Sequence, residues 1–388
     1  MFFKYEWKFN VLFGSGASLS TGMKVRDLGC KKVLIVCDEG VIKAGIAGKI
    51  IANLNNAGVE TVIYDKVLPD PPDYSIDEAG ALAVAEKVDG IVGIGGGSAL
   101  DSAKATNLLI NNPAPINNYF GSVPFKPGVP VICIPTTSGT GCEQSGGAVI
   151  TDTKKNAKGA VSTGTPTLAI VDPELTLGLP KSLTLGGAMD AFAHSAEVVT
   201  SVYPTYFTEI LMLDGVRTIM KYLPVALADG KNIEAREKIM FAASVAGSTF
   251  SIAYPHLGHA IGHTLGAKFH MPHGFAVVAC LPQVIEYVAL SVPDQVRRLG
   301  EAMGLAIEEN VSREELGKQV GAAIHEFKVR HGVPTLSEMG ISLEDAISII
   351  PMIFDDVMYM FSPRMASAED LKKILTAAYS YESKGGKA

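Results

Sequence analysis

Between residues 32 and 134 the chain alternates short runs that are apolar almost throughout with longer stretches whose apolar residues recur every three or four positions. The short runs are Lys32–Cys37, Val59–Tyr64, Gly90–Ile94 and Val129–Ile134, and they predict strands buried on both faces. Helices are predicted between them, over Val41–Ala57, Ser75–Lys87 and Leu100–Ile110. Strands separated by helices imply an α/β architecture with a parallel sheet, so residues 1–180 read as a nucleotide-binding domain. Beyond Pro180 the strand pattern stops. Ala188–Ser201, Tyr206–Tyr222, Ile233–Ser248 and Arg313–His331 carry helical spacing, and Pro204, Pro224, Pro282 and Pro293 punctuate them. Residues 181–388 therefore read as an all-α domain. No internal repeat or low-complexity segment interrupts either half, and Lys384–Ala388 reads as a loose tail.

Composition narrows the class without changing this division. The chain has 388 residues, 47% hydrophobic and 19% charged, enough to bury a large core in two domains. A net charge of -7 leaves no basic footprint for nucleic acid or an anionic membrane. Charges interrupt the apolar residues of Met1–Lys8, and Glu286 breaks the best candidate span, Phe275–Val292, so neither a secretory signal nor a membrane helix is expected. Five cysteines without paired metal-type spacing fit small buried hydrophobes in a reducing, cytoplasmic compartment.

Two regions carry chemistry. Gly95-Gly96-Gly97-Ser98 leads from a strand into a helix bearing Asp101 and Lys104. Glycines there allow a tight turn and bring backbone N–H groups against a phosphate at a helix N-terminus. Asp38 ends the first of the predicted strands, where it can accept from the ribose hydroxyls of NAD or cap the next helix. Pro135-Thr136-Thr137-Ser138-Gly139-Thr140-Gly141 follows the fourth, with hydroxyls suited to a ligand at the sheet edge. In the second half, Asp190 and His194 stand four apart, as do His259 and His263, and His256, His270 and His273 lie close by in sequence. Neutral imidazole is a common metal ligand, and i, i+4 residues share one helical face. One carboxylate and three imidazoles would suit Fe(II) or Zn(II), with five histidines near 256–273 competing with His194 for three places.

Together, Gly95–Ser98 with Asp101 and Lys104, Pro135–Glu143, Met189-Asp190-Ala191 with His194 and Glu197, and His259 through His273-Gly274 resemble the iron-containing, or group III, alcohol dehydrogenase family. The resemblance runs over nearly the whole chain. It implies an N-terminal α/β domain and a C-terminal helical domain with a cleft between them, and reversible hydride transfer between NAD(H) and a small primary alcohol or aldehyde, including short diols and hydroxyaldehydes. By the same resemblance the metal ligands are Asp190, His194, His259 and His273, and His263 positions substrate or relays protons. The implied cofactor contacts are Asp38, Gly96, Gly97, Ser98, Asp101, Thr136, Thr137, Thr140 and Lys158, and Phe250 lines the substrate pocket. A homodimer or larger homo-oligomer is implied as well. The chain departs from the family pattern at Asp70, which replaces an asparagine, at Cys142, which replaces a serine or alanine, and at Gly147, where some members carry a pocket asparagine.

Other readings make different demands. A glycerol-type zinc dehydrogenase of the same superfamily shares the ligand pattern. A synthase using NAD transiently needs basic residues around a phosphorylated substrate, yet Ala253–Pro282 contains only Lys268. A non-catalytic metal or nucleotide sensor yields no reduced cofactor when given NAD and alcohols.

Overall fold

The computed structural model describes residues 10–385 except Ser122, Asn156, Phe250 and Ser251. Phe250, the expected pocket aromatic, thus lies outside the described residues. Within them the chain forms two compact units. The first comprises the described residues up to Pro180 with Asp229–Ser248, and the second comprises Lys181–Ala228 with the described residues after Ser248.

The first unit is built on a six-stranded sheet. Its strands are β1 (Val11–Phe13), β2 (Lys32–Cys37), β3 (Glu60–Tyr64), β4 (Gly90–Gly95), β5 (Val131–Pro135) and β8 (Leu168–Val171), in the order β1-β8-β5-β4-β2-β3, every pair parallel. Val33, Ile35 and Cys37 of β2 pack on one face with Ile50 and Leu54, while Leu34 and Val36 pack on the other with Ala79, Leu100 and Ala103. Successive side chains point to opposite faces of a strand, so a run apolar at every position is what a sheet covered on both sides requires. Each fully buried Val, Leu or Ile contributes about 1.5–3 kcal/mol.

Register aligns the carboxyl ends of three strands. Cys37 of β2 pairs with Ile94 of β4, and Gly95 of β4 with Pro135 of β5. Asp38, Gly96 and Thr136 consequently leave the sheet side by side. The chain runs outward from β2 to β3 and in the opposite direction from β4 to β5, which makes the β2/β4 edge the topological switch point where open α/β sheets bind ligands.

Several elements differ from the sequence expectation. The single helix expected over Val41–Ala57 is two, Glu39–Lys43 and Ile46–Asn56, because Gly45 takes a left-handed φ of 73° between them. β1 and β8 are too short for a periodic signal. A further antiparallel hairpin, β6 (Gly147–Asp152) and β7 (Ala157–Ser162), has its β-branched Val149, Ile150, Thr151 and Val161 diluted by Gly147, Gly159, Lys158 and three alanines, whose propensity argues against strands until cross-strand pairing overrides it.

The helix Ile233–Ser248, assigned by its spacing to the helical half, clusters instead with the α/β unit. Met240 packs on Ala169 and Val171, and Phe241 meets Phe13 edge to face at 5.3 Å. Gly247 approaches Gly141 so closely that a Cβ would fall 1.9 Å from the Gly141 carbonyl oxygen. Periodicity identifies a helix but carries no information about which sheet or bundle it covers.

Helices are the regular elements of the second unit's described residues, Lys181–Thr200, Tyr206–Ala228, Leu257–Phe269, His273–Ala279 and Arg313–Arg330 among them. Pro224 does not end its helix, which continues to Ala228, whereas Pro282 and Pro293 occupy first-turn positions where a missing N–H costs nothing.

Candidate metal and dinucleotide sites

Three helices of the second unit converge because glycines let their backbones touch. A Cβ on Gly274 would lie 1.9 Å from the Gly186 carbonyl oxygen, and one on Gly262 would lie 2.6 Å from the Val277 Cα. The first contact brings Lys181–Thr200 against His273–Ala279, and the second brings Leu257–Phe269 against the same short helix. Asp190 stands one turn beyond Gly186, and His273 is the residue before Gly274. The close approach therefore delivers both side chains to one point.

At that point Asp190 Oδ1 lies 3.4 Å from His273 Nε2 and 3.8 Å from His259 Nε2. The ligating atoms of Asp190, His259 and His273 all fall within 4.8 Å of one another. His194 borders this triangle, its Nδ1 3.7 Å from Asp190 Oδ1 and its ring stacked on His259 at 4.4 Å. Asp190, His194 and His259 are buried, while His273 is partly exposed. Asp190 Oδ1 and His259 Nε2 have no hydrogen-bond partner among the described residues. Leaving such atoms buried and unpaired costs about 1–3 kcal/mol apiece, more when charged. A divalent cation would satisfy both atoms, and the oxygen-and-imidazole donor set suits Fe(II) or Zn(II), so these residues fit the expected metal.

Without a metal, Asp190 is ionised and His259 carries a proton, which a divalent cation would displace on binding. Burial opposes ionisation of Asp190, but the rings of His194, His273 and His259 hold its carboxyl well below the usual range. Burial, helped by the neighbouring rings of His259 and His273, pushes His194 down to about 3 and leaves it neutral. His259 rises to about 9 despite burial because Glu197 and Asp190 flank it.

Glu197 orients His259. Its fully buried carboxylate accepts from the Gly258 N–H at 2.6 Å, the His259 N–H at 3.0 Å and His259 Nδ1. The two backbone bonds cap the helix beginning at Leu257, where negative charge is favoured. In the ring bond His259 Nδ1–H donates to the Glu197 carboxylate, which turns Nε2 toward Asp190. Burial alone would raise Glu197, yet His256, His259 and the Gly258 N–H hold it at about 2. Gly258 permits this approach, since a Cβ there would lie 2.9 Å from a Glu197 oxygen.

The remaining histidines separate by environment. His256 is fully buried, 3.2 Å from Glu197 and hydrogen-bonded to Thr200 Oγ1 at 2.9 Å, so it buttresses Glu197. His270 is exposed and ends its helix at a φ of 55°. His263 stacks on His273 at 5.6 Å, and its Nδ1 meets Asp356 Oδ2 at 2.9 Å. Asp356 is in turn fixed by the Met358 N–H at 2.8 Å. Asp356 escaped sequence reasoning because it lies 93 residues from His263 outside any periodic pattern. Its one local signal is an acidic residue just before the apolar turn Val357–Phe361.

The expected dinucleotide contacts lie at the carboxyl edge of the first unit's sheet. Gly95 has a φ of 150°, Gly96 precedes the helix Gly97–Asn111, and Thr137 and Thr140 flank the turn. A Cβ on Gly96 would come within 3.3 Å of Thr137 Oγ1, and one on Gly97 within 3.1 Å of Thr140 Cγ2. Thr136 donates its N–H to the Gly95 carbonyl at 2.9 Å, joining the two strand ends. Asp38 caps the following helix by accepting from the Val41 N–H at 3.0 Å, and its second oxygen faces Gly95. Ser98 Oγ accepts from the Asp70 N–H at 3.3 Å, and Lys158 Nζ lies 2.6 Å from Asp70 Oδ1.

Asp101, expected among the cofactor contacts, has two partners within the chain. One oxygen lies 2.9 Å from the buried Lys104 Nζ and the other accepts from the Val149 N–H at 2.9 Å. Lys104 also donates to the Cys142 carbonyl and to Ser145 Oγ. The pair ties the glycine-turn helix to the β6–β7 hairpin. Cys142 is buried, and burial pushes its thiol well above the ordinary range.

Among the described residues, no helix is long and apolar enough to cross a membrane. Residues 9–173 match the family model for iron-containing alcohol dehydrogenase, and residues 184–379 match the C-terminal model of the Fe-containing alcohol dehydrogenase family. The NAD-dependent methanol dehydrogenase of Bacillus methanolicus is 34% identical over 371 residues, covering 95% of this chain and 97% of that protein. The choline dehydrogenase of Bacillus subtilis is 34% identical over 349 residues, covering 88% of this chain and 86% of its own. A solved 1,3-propanediol oxidoreductase superimposes with a TM-score of 0.92 at 31% identity, covering 97% of this chain and 100% of that structure. With two family models spanning both units and similarity along nearly its whole length, the chain belongs to the iron-containing alcohol dehydrogenase family.

Proposed function

We propose that this protein is an NAD(H)-dependent, metal-requiring dehydrogenase of small primary alcohols, working reversibly on the corresponding aldehydes. The observation that carries the metal requirement is the Asp190–His259–His273 triangle, in which the buried Asp190 and His259 each leave a donor atom unpaired. Methanol, choline and 1,3-propanediol, named in the relatives, are all primary alcohols, which supports that substrate class.

Asp190, His194, His259 and His273 would hold the metal. An Fe(II) or Zn(II) ion bound there supplies Lewis acidity that favours the alkoxide form of an alcohol. NAD supplies the hydride acceptor at its nicotinamide ring. Asp356 holds the Nδ1 proton of His263, leaving His263 Nε2 to accept the hydroxyl proton and pass it to solvent. Glu197 keeps His259 in the tautomer whose Nε2 lone pair points at Asp190. The N–H groups of the Gly96–Ser98 turn would bind the diphosphate. Asp38 would accept from the ribose hydroxyls and repel a 2′-phosphate, giving preference for NAD over NADP.

The test is anaerobic reconstitution with Fe(II) or Zn(II), followed by NAD and a panel containing methanol, ethanol, choline and 1,3-propanediol. NADH formation that requires both metal and a primary alcohol is the expected result. Equal NADH formation by thoroughly demetallated protein, or none with any alcohol of the panel, would contradict the reading.

A further inference from the structure

Asp70 occupies a constrained position at the end of the sheet that carries the glycine turn. It lies between Pro69 and Pro71 in the left-handed region, with a φ of 48°. Three bonds pin it: its N–H donates to Ser98 Oγ at 3.3 Å, its carbonyl accepts from Thr151 Oγ1 at 2.9 Å, and its Oδ1 takes Lys158 Nζ at 2.6 Å. Ser98 belongs to the first turn of the helix Gly97–Asn111, where backbone N–H groups lack intrahelical acceptors and favour an anion. A carboxylate is thus fastened to the end of a helix whose polarity invites a phosphate. The Lys158 side chain is 11% exposed, against 44% for Asp70, so the cation is the more enclosed partner.

We propose that Asp70 sets the strength of dinucleotide binding by neutralising Lys158, so that the diphosphate meets one effective cation fewer than the residues present could offer. The inference rests on reading the glycine turn as a dinucleotide site. With the pair intact, the turn binds the diphosphate through backbone N–H groups alone. Removing the carboxylate leaves Lys158 free to pair with the ligand. Removing the lysine leaves an uncompensated negative charge beside it. A pair that served only to brace β7 against the Pro69–Pro71 turn would instead weaken binding whichever partner was removed.

Calorimetric titration of NAD, with adenosine as a ligand lacking phosphate, separates these cases across wild type, Asp70→Asn, Lys158→Met and the double variant. Asparagine tolerates a positive φ and retains the backbone bonds at this position. At low salt, Asp70→Asn should bind NAD about tenfold more tightly and Lys158→Met about tenfold more weakly, with the double variant near wild type. The differences should shrink as ionic strength rises, and adenosine affinity should not change. Equal or weaker NAD binding by Asp70→Asn with an unchanged melting temperature overturns the inference, and this comparison decides even if Lys158→Met does not fold. Equal affinities in all four proteins overturn this inference alone. Absence of NAD binding in all four overturns the proposed function together with it.

Discussion

The two candidate sites are made from opposite materials. The metal centre is built from largely buried side chains, several of them fixed by another side chain: Glu197 on His259, His256 on Glu197, Asp356 on His263. The dinucleotide turn is built from backbone, with glycines clearing space and threonines filling it. A side-chain centre concentrates its function in a few irreplaceable atoms, whereas a backbone cradle spreads it over several N–H groups. Substitutions should therefore act sharply in the first and gradually in the second.

The largest effect is expected from His259→Ala or Asp190→Ala. Either should abolish metal retention and lower alcohol oxidation on the order of a thousandfold or more, since Lewis-acid assistance amounts to several kcal/mol of barrier. Elemental analysis alongside NADH formation checks both, and NAD affinity should survive. Next, His263→Phe should reduce kcat about a hundredfold with metal content unchanged, and Asp356→Asn should act in the same direction more weakly. Loss of metal in either variant would mean that His263 is a ligand rather than a proton carrier.

Glu197→Gln should weaken metal affinity about 10- to 100-fold, measured by competition with a chelator. The same variant carries a pH signature in metal-free protein. Glu197 is held at about 2 against an ordinary value of 4.5, so its stabilising contribution is complete above about 4.5 and is lost as pH falls toward 2. The stability gap between wild type and Glu197→Gln should accordingly stay constant between about pH 4.5 and 6.5 and close below that window; it should also narrow toward pH 9 as His259 loses the proton that Glu197 stabilises. A gap that widened on acidification would contradict the assigned hydrogen bonds.

Asp38→Ala should give the smallest change. Loss of the cap to Val41 should cost about 1 kcal/mol in a chemical denaturation experiment. Discrimination between NAD and NADP should relax while kcat with NAD changes little. Undiminished preference for NAD would show that Asp38 serves the helix alone.

Legibility in the sequence followed the same division of materials. β2, β4 and β5 were readable because burial on both faces demands apolar residues at every position. The α/β architecture followed from them. The hairpin β6–β7 was not, because its stability lies in cross-strand pairing while Gly147, Gly159, Lys158 and three alanines dilute its own strand signal. The helix Ile233–Ser248 was recognisable as a helix, but its attachment depends on the Gly141–Gly247 approach and on Met240 meeting Ala169 and Val171, contacts made over about a hundred residues or less of chain. At the metal centre, spacing exposed Asp190, His194, His259 and His263, while the convergence of three helices rests on Gly186, Gly262 and Gly274, residues with no side chain to advertise a contact. The partners of Asp101 were hidden for a similar reason. Its spacing from the glycine turn matched a cofactor motif, while its carboxylate is used by Lys104 and the hairpin.

The central claim is that Asp190, His259 and His273 together hold a catalytic divalent metal. The most direct measurement is the metal-to-protein ratio after anaerobic purification, compared between wild type and His259→Ala. The account predicts about one Fe(II) or Zn(II) per wild-type chain, in the range of a filled single site, and almost none in the variant. An equal metal content in the two proteins would contradict it.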